Sequence, residues 1–187
     1  MQFAEAGLHE VILDNIKKCG YDKPTVVQSY AIPALLTGVD CIVNAQTGKR
    51  EACNVRHSII ADPDLGSGKT AAYMIPVISG LMGKAKKLGA PRPDTFAPGY
   101  NPSTHQVRAE PLVIIVVPTR ELAIQIFDEA RRMCYRSMLR PVVTYGGLPF
   151  KTTVEELGKG ADVLIATPGR LCDIMSKPRL LSMGRVK

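Results

Sequence analysis

The chain lacks the features that mark several large classes of protein. Its five cysteines, at positions 19, 41, 53, 134 and 172, are scattered, odd in number and form no CxxC pair. That excludes a disulfide framework and a cysteine-based zinc knuckle, and reads them as buried, reduced thiols. Long apolar runs are also missing. The longest is the six residues Leu112–Val117, against the ~18 that a bilayer-crossing helix needs. The N-terminus shows no basic stretch followed by an apolar one, so no secretory signal is read there. There is no internal repeat. These absences describe a soluble, intracellular chain. What is present, 187 residues of which 45% are hydrophobic, is enough for one sizeable core and too much for a peptide-sized scaffold.

Acid is scarce in one half. The chain carries 24 Lys and Arg against 17 Asp and Glu, a net charge of +7, and the imbalance is local: residues 1–75 hold 7 basic and 8 acidic side chains, residues 76–187 hold 17 and 9. A surface for a polyanion is therefore expected in the second half.

Hydrophobic spacing predicts the elements. Leu8, Val11, Ile12 and Ile16 recur at helical intervals before Gly20, giving a helix over 8–19. A second helix covers 25–36, interrupted or bent at Pro33, and a third covers 68–82, with Pro76 inside it. Asp40–Ala45 reads as a buried strand. From Gly83 to Glu110 prolines, glycines and basic residues replace the periodic pattern, as in an exposed loop. Strands are then predicted at 112–117, 141–145 and 162–166, and helices at 119–136 and 151–158. Thr167-Pro168 supplies an N-cap and an N1 proline for a last helix. Strands alternating with helices specify an α/β fold, a parallel sheet with helices on both faces.

Ser67-Gly68-Lys69-Thr70 is the second half of a phosphate-binding loop. In such a loop backbone N–H groups and a helix N-terminus face the phosphates, Lys69 reaches the outer ones and the Thr70 hydroxyl binds Mg2+. The contiguous pattern fails, because the position five before Gly68 is Pro63. The missing half lies upstream, as Ala45-Gln46-Thr47-Gly48 after the predicted strand. Joining Gly48 to Ser67 completes a loop reading Ala-Gln-Thr-Gly-Ser-Gly-Lys-Thr.

In these residues and those that follow, the chain resembles the DEAD-box ATP-dependent RNA helicases, nearest their Vasa/Ded-type branch. Gly20-Tyr-Asp-Lys-Pro-Thr-Val-Val-Gln28, with Phe3 upstream, is similar to the adenine-reading Q motif. The resemblance implies that Gln28 bonds the base edge, that Tyr21 packs on its face, and that Phe3 and Thr25 belong to the same site. Pro118-Thr119-Arg120-Glu-Leu-Ala123, Gly146-Gly147 and Thr167-Pro168-Gly169-Arg170 resemble the family's three segments that hold single-stranded RNA by its backbone. All come in the family's order. Their chemistry agrees with that role, since Arg120 and Arg170 offer forked donors and glycines allow close, base-independent approach. Placed after strand ends, the three segments share the ligand-binding face of an open α/β sheet.

Two departures stand out. The Asp-Glu-Ala-Asp segment that handles Mg2+ and water in the family is not among these residues; Asp128-Glu129-Ala130 is followed by Arg131 and reads as a solvated helix face. By resemblance the true segment begins a few residues after Lys187. The second departure is the insert Lys49–Gly66, whose bulky and charged side chains fall where amides must converge on phosphate. Within it, Cys53 and His57 have helical i, i+4 spacing but lack two further ligands for a metal. Gly48-Lys49 is encodable as an intron donor and Leu65-Gly66 as an acceptor, and excision keeps the reading frame. The insert is accordingly read as translated intron or a gene-prediction error.

The resulting expectation is a Q-motif region over 1–39 and an incomplete first RecA-like domain over 40–187. The domain carries the insert 49–66 and the loop 83–110, is truncated at its C-terminal side, and is without the second RecA-like domain. The resemblance implies ATP, Mg2+ and RNA as cofactors and partners, no membrane, and a cytoplasmic location with the nucleus as the other choice. The family role is ATP-driven RNA duplex opening, while these 187 residues are expected not to hydrolyse ATP. The alternative is a non-catalytic RNA-binding or interaction fragment. A P-loop kinase or GTPase is disfavoured by the adenine-reading segment and by Thr-Pro-Gly-Arg.

Overall fold

The computed structural model describes residues 2–45, 68–82, 92–101 and 104–186. Gln46, Thr47, Gly48 and Ser67 of the expected phosphate loop, and the insert 49–66 with Cys53 and His57, lie outside them. The chain divides into two compact units, Met1–Gly80 and Leu81–Lys187.

The first unit is helical. A 3-10 turn, Phe3–Ala6, precedes α1 (Glu10–Lys18), α2 (Val26–Leu36) and α3 (Lys69–Met82, whose last two residues pass the unit boundary). Ile12 and Ile16 fall one turn apart and are buried with Phe3, Leu8, Ala31 and Ile32. His9 caps α1 through its ring, accepting from the Val11 N–H, and its own N–H donates to Ser79 Oγ on α3 at 2.8 Å. Both proline-bearing helices run on without a break. A proline inside a helix costs about 3 kcal/mol. Burial of Met74, Ile75 and Ile78 around Pro76, at ~1.5–3 kcal/mol per large side chain, outweighs that.

The expected strand at 40–45 is not formed. Those residues are irregular and mostly exposed, and Ile42 is fully so. Among the described residues no strand pairs with them, and an apolar run without a ladder partner has nothing to hold it extended.

The second unit is the α/β part. β1 (Val113–Val116), α4 (Arg120–Met133), β2 (Pro141–Thr144), α5 (Phe150–Gly158), β3 (Val163–Ala166) and α6 (Pro168–Met175) alternate as the sequence predicts. The sheet is parallel in the order β1-β3-β2, with Val163 opposite both Val113 and Pro141. β3 is therefore the central strand, and its Val-Leu-Ile-Ala run is wholly buried. This is a RecA-like α/β arrangement. Its core gathers Val142, Leu157, Leu164, Leu171 and Ile174 with Ala109 and Leu181. On α4, Ala123, Ile126, Ala130 and Met133 face inward. The Asp128-Glu129-Ala130 triplet is therefore only in part the solvated face that its sequence suggests: Asp128 is exposed beside Arg131 at 3.8 Å, Glu129 is half-buried and Ala130 is completely buried.

Two expectations need correction. The segment before β1 is anchored as well as irregular. Arg92 pairs with the buried Asp162 and donates to the Met138 carbonyl, and Ala109 is completely buried, bridging to Leu181. The four described cysteines form no disulfide, and only Cys134 among them is buried; Cys41 and Cys172 are exposed and Cys19 is half-buried. Cys172 lies on the outer side of α6, between the buried Leu171 and Ile174. Among the described residues no helix is long and apolar enough to cross a membrane.

Candidate functional site

In the first unit, the expected nucleotide-side residues form a closed hydrogen-bonded latch. Thr25 is the N-cap of α2, its Oγ1 accepting from the Gln28 N–H at 3.4 Å while Gln28 Oε1 accepts from the Thr25 N–H at 2.9 Å. This is a capping box, legible in the Thr-x-x-Gln spacing. The other end of the Gln28 amide donates to the Gly68 carbonyl at 3.2 Å, so Gln28, only 3% exposed, ties α2 to the start of α3. Gly68 has φ +75°, a conformation that strains any other residue, and a Cβ there would come within 2.5 Å of Gln28 Nε2 and displace it.

Lys69 and Thr70 occupy the first turn of α3, both half-buried. Lys69 Nζ donates to the Ala45 carbonyl at 2.8 Å. Phe3 is buried in its 3-10 turn and Tyr21 is half-buried just after α1. A cation, a hydroxyl and a helix N-terminus are the right donor set for phosphate, and Gln28 is the right amide for a base edge. In this arrangement the Gln28 and Lys69 donors are turned onto the protein's own carbonyls.

In the second unit, each of the three remaining segments sits at the C-terminal end of a parallel strand, so the topology alone brings them together. Thr119 follows β1 and caps α4, accepting from the Leu122 N–H at 3.3 Å, which starts the helix at the exposed Arg120. Pro118 is exposed beside it. Gly146 and Gly147 follow β2, and Thr167 to Arg170 follow β3 to open α6. The Arg120 guanidinium lies over the glycine turn: a Cβ on Gly147 would meet Nη1 at 2.6 Å and one on Gly146 would meet Nη2 at 3.8 Å. Gly147, at φ +93° and exposed, holds a conformation that glycine alone adopts freely.

Thr167, buried at the start of α6, makes no cap bond; its hydroxyl accepts from the Gly146 N–H at 3.3 Å. Pro168 and Gly169 are exposed on the first turn. Arg170 turns inward, with Nε donating to the Tyr145 carbonyl at 3.1 Å and Nη2 to the Leu148 carbonyl. It also stands 5.7 Å over the Phe150 ring, on which Lys177 Nζ sits at 3.6 Å. Nothing in the sequence pairs Phe150 with Lys177, because 27 residues separate them. The one hint was an aromatic directly after the Gly-Gly-Leu-Pro turn.

At the opposite, N-terminal ends of the strands the charged groups are structural. Asp162 accepts from the Arg140 N–H at 2.7 Å as well as pairing with Arg92. Burial, followed by the Asp162 charge, pushes the Cys134 thiol up to about 12 despite a bond with Ser137, so it stays protonated and inert. Burial alone would raise the Glu156 carboxyl, but the Lys159 hydrogen bond and the charges of Arg140 and Lys159 outweigh it and hold it below its ordinary value.

Chemically, the strand-end cluster offers an exposed guanidinium fork, without a hydrogen-bond partner among the described residues, laid against backbone that carries no side chains. That combination has the chemistry for a phosphodiester contact that does not depend on the base. Known proteins agree in kind. A DEAD/DEAH box helicase family profile matches residues 51–187. The chain is 38% identical over 179 residues to DEAD-box ATP-dependent RNA helicase 52A of Oryza sativa subsp. japonica, covering 95% of this chain and 25% of that protein. It is 40% identical over 185 residues to the probable ATP-dependent RNA helicase ddx3 of Dictyostelium discoideum, covering 99% of this chain and 22% of that protein. The chain thus spans about a quarter of the length of these relatives. With the profile covering most of its residues and the strand-end motifs in place, the chain belongs to the DEAD/DEAH box helicase family.

Proposed function

We propose that these residues are the RNA-gripping and nucleotide-facing part of an ATP-dependent RNA helicase, the protein opening short duplexes by holding one strand through its sugar-phosphate backbone. The observation that carries the reading is the convergence of Arg120, Gly146-Gly147 and Thr167-Pro168-Gly169-Arg170 at the C-terminal ends of three parallel strands. Thr119 and Pro118 set the start of α4 beneath Arg120.

On the nucleotide side, the reading assigns Gln28, Tyr21, Phe3 and Thr25 to adenine. Ala45, Gln46, Thr47, Gly48, Ser67, Gly68 and Lys69 go to the phosphates, and Thr70 to Mg2+. ATP with its metal, when bound, would supply a γ-phosphoryl group for transfer to water with ADP as the leaving group; the residues of this chain would bind and orient it. For that, Gln28 must release the Gly68 carbonyl or accept a second bond, and Lys69 must leave the Ala45 carbonyl. These 187 residues hold no Asp-Glu-Ala-Asp segment, so by themselves they bind without hydrolysing. The inward-turned Gln28 and Lys69 of the first unit and, separately, the fully formed strand-end cluster of the second favour the second reading for the chain alone, a non-catalytic RNA-binding fragment. A cytoplasmic location goes with the family role.

The test is fluorescence anisotropy with a labelled single-stranded oligouridylate over a range of salt. Sequence-tolerant binding is expected, with log K falling linearly in log salt at about 0.7 per phosphate contacted. Binding that is salt-insensitive or confined to one base sequence would overturn the reading. RNA-stimulated phosphate release from the purified 187-residue chain would overturn the inactivity.

A further inference from the structure

We infer that Arg170 works as a positioning residue for the Gly146-Gly147 turn and makes no RNA phosphate contact of its own. The inference rests on the RNA-gripping reading above and narrows it to Arg120 as the guanidinium that meets the strand.

Thr167 and Arg170, at the start of α6, engage three backbone groups of the turn after β2. The Tyr145 carbonyl accepts from Arg170 Nε at 3.1 Å and the Leu148 carbonyl accepts from Arg170 Nη2. The Gly146 N–H donates to Thr167 Oγ1 at 3.3 Å. The turn's own closing bond runs from the Leu148 N–H to the Tyr145 carbonyl at 3.3 Å, so Arg170 holds one end of that bond and the residue at its other end. The Gly147 N–H has no acceptor among the described residues, and Gly147 is the residue on which Arg120 lies.

Two features fix Arg170 in this role. Its fork spans two carbonyls three residues apart, which a lysine ammonium, a single point donor, does not reproduce. Its guanidinium plane is also braced 5.7 Å over Phe150, whose ring is engaged at 3.6 Å by Lys177. Arg170 is half-buried, whereas Arg120 is exposed. The two arginines of the strand-end cluster therefore divide the work, one offering its donors to a ligand and the other shaping the backbone beside it.

The test compares Arg170→Lys, Arg170→Ala and Arg120→Ala in the full chain, by oligouridylate anisotropy across salt and by amide hydrogen exchange without RNA. Arg120→Ala should lower the salt slope by about 0.7, the loss of one phosphate contact. Arg170→Ala should weaken binding about tenfold with the slope unchanged, and Arg170→Lys should not rescue it. In the absence of RNA, both Arg170 variants should speed exchange at the Leu148 amide and leave β3 amides protected. A slope lowered by Arg170→Ala and restored by Arg170→Lys would make Arg170 a phosphate ligand and overturn the inference. Unchanged exchange at Leu148 would overturn it whether or not RNA binds, whereas a wild-type chain that does not bind RNA removes the functional reading and leaves the exchange result to decide the bracing. Should Arg170→Ala fail to fold, Arg170→Lys carries both readings.

Discussion

A Cβ built on Gly147 would lie 2.6 Å from Arg120 Nη1 and 3.0 Å from its Cζ. The absent side chain is thus the space in which the guanidinium rests. Replacing Gly147 by Ala acts twice. It places a side chain at φ +93°, costing about 1 kcal/mol of stability or somewhat more, and it displaces Arg120, the far end of a flexible side chain that moves at little cost to the fold.

A double-mutant cycle follows. Gly147→Ala and Arg120→Ala should each weaken single-stranded RNA binding, and the double variant should bind about as weakly as the worse single one, because both remove the same contact. Anisotropy titrations of the four chains measure the coupling. Strictly additive losses would mean that the two residues serve RNA independently.

The Thr25–Gln28–Gly68 latch gives a second prediction, on stability. Gln28→Ala removes half of a capping box and one of two bonds to the Gly68 carbonyl, which keeps the Ala72 N–H at 2.9 Å, and should destabilise the first unit by roughly 0.5–2 kcal/mol. Gln28→Glu separates the two contributions. Its carboxylate still accepts from the Thr25 N–H, but an oxygen replaces the donor that faces the Gly68 carbonyl at 3.2 Å. Thermal melting should rank wild type above Gln28→Glu. A Gln28→Glu chain as stable as wild type would show that the Gly68 bond contributes nothing.

What the sequence disclosed, and what it hid, follows from the range of the interactions. α4 was legible because its cap, Thr119, and its inward residues Ala123, Ile126, Ala130 and Met133 all obey one short period. β3 was legible because a central parallel strand is apolar throughout. The strand-end cluster followed from topology, since loops after parallel strands share one edge. Arg170's inward turn was hidden, because whether a guanidinium faces solvent or two carbonyls 22 and 25 residues away is decided by tertiary packing. The Arg92–Asp162 pair was hidden likewise, with 70 residues between its members. Residues 40–45 misled in the other direction: their apolar composition fits a strand, but a strand exists only with a neighbour to complete its ladder.

Glu156 supplies a pH prediction. Its carboxyl is held below its ordinary value of 4.5, with Lys159 and Arg140 overcoming the effect of burial. A depressed folded-state value means that the unfolded chain binds the proton more readily. The stability from this group is therefore present above the unfolded value and is lost as pH falls through the folded one. Glu156→Gln should melt lower than wild type at pH 7, and the gap should close as the pH is taken below about 4.5. The effect should be modest, since the side chain is 40% exposed and solvent screens it. A gap that stays constant from pH 7 to pH 3 would remove the ion pairs with Arg140 and Lys159 as its source.

The last prediction concerns residues 49–66 and rests on the proposed nucleotide role. Ile42 is fully exposed and, among the described residues, 40–45 join no ladder, whereas a phosphate loop needs a strand to deliver it to the helix that follows. Deleting 49–66 brings Gly48 next to Ser67 and restores the sequence Ala-Gln-Thr-Gly-Ser-Gly-Lys-Thr ahead of α3. Short, side-chain-poor backbone then lies where amides converge on an anion. The deletion chain should bind Mg-ATP at least about tenfold more tightly than the intact chain by calorimetric titration, and the amides of 41–45 should gain protection from hydrogen exchange. Lys69→Ala in the deletion chain should abolish the gain, because Lys69 has then exchanged the Ala45 carbonyl for phosphate. If the deletion leaves ATP affinity and protection at 41–45 unchanged, the insert is not what keeps the nucleotide side closed. The cause then lies in the latch of Gln28 on Gly68, which the Gln28 variants probe directly.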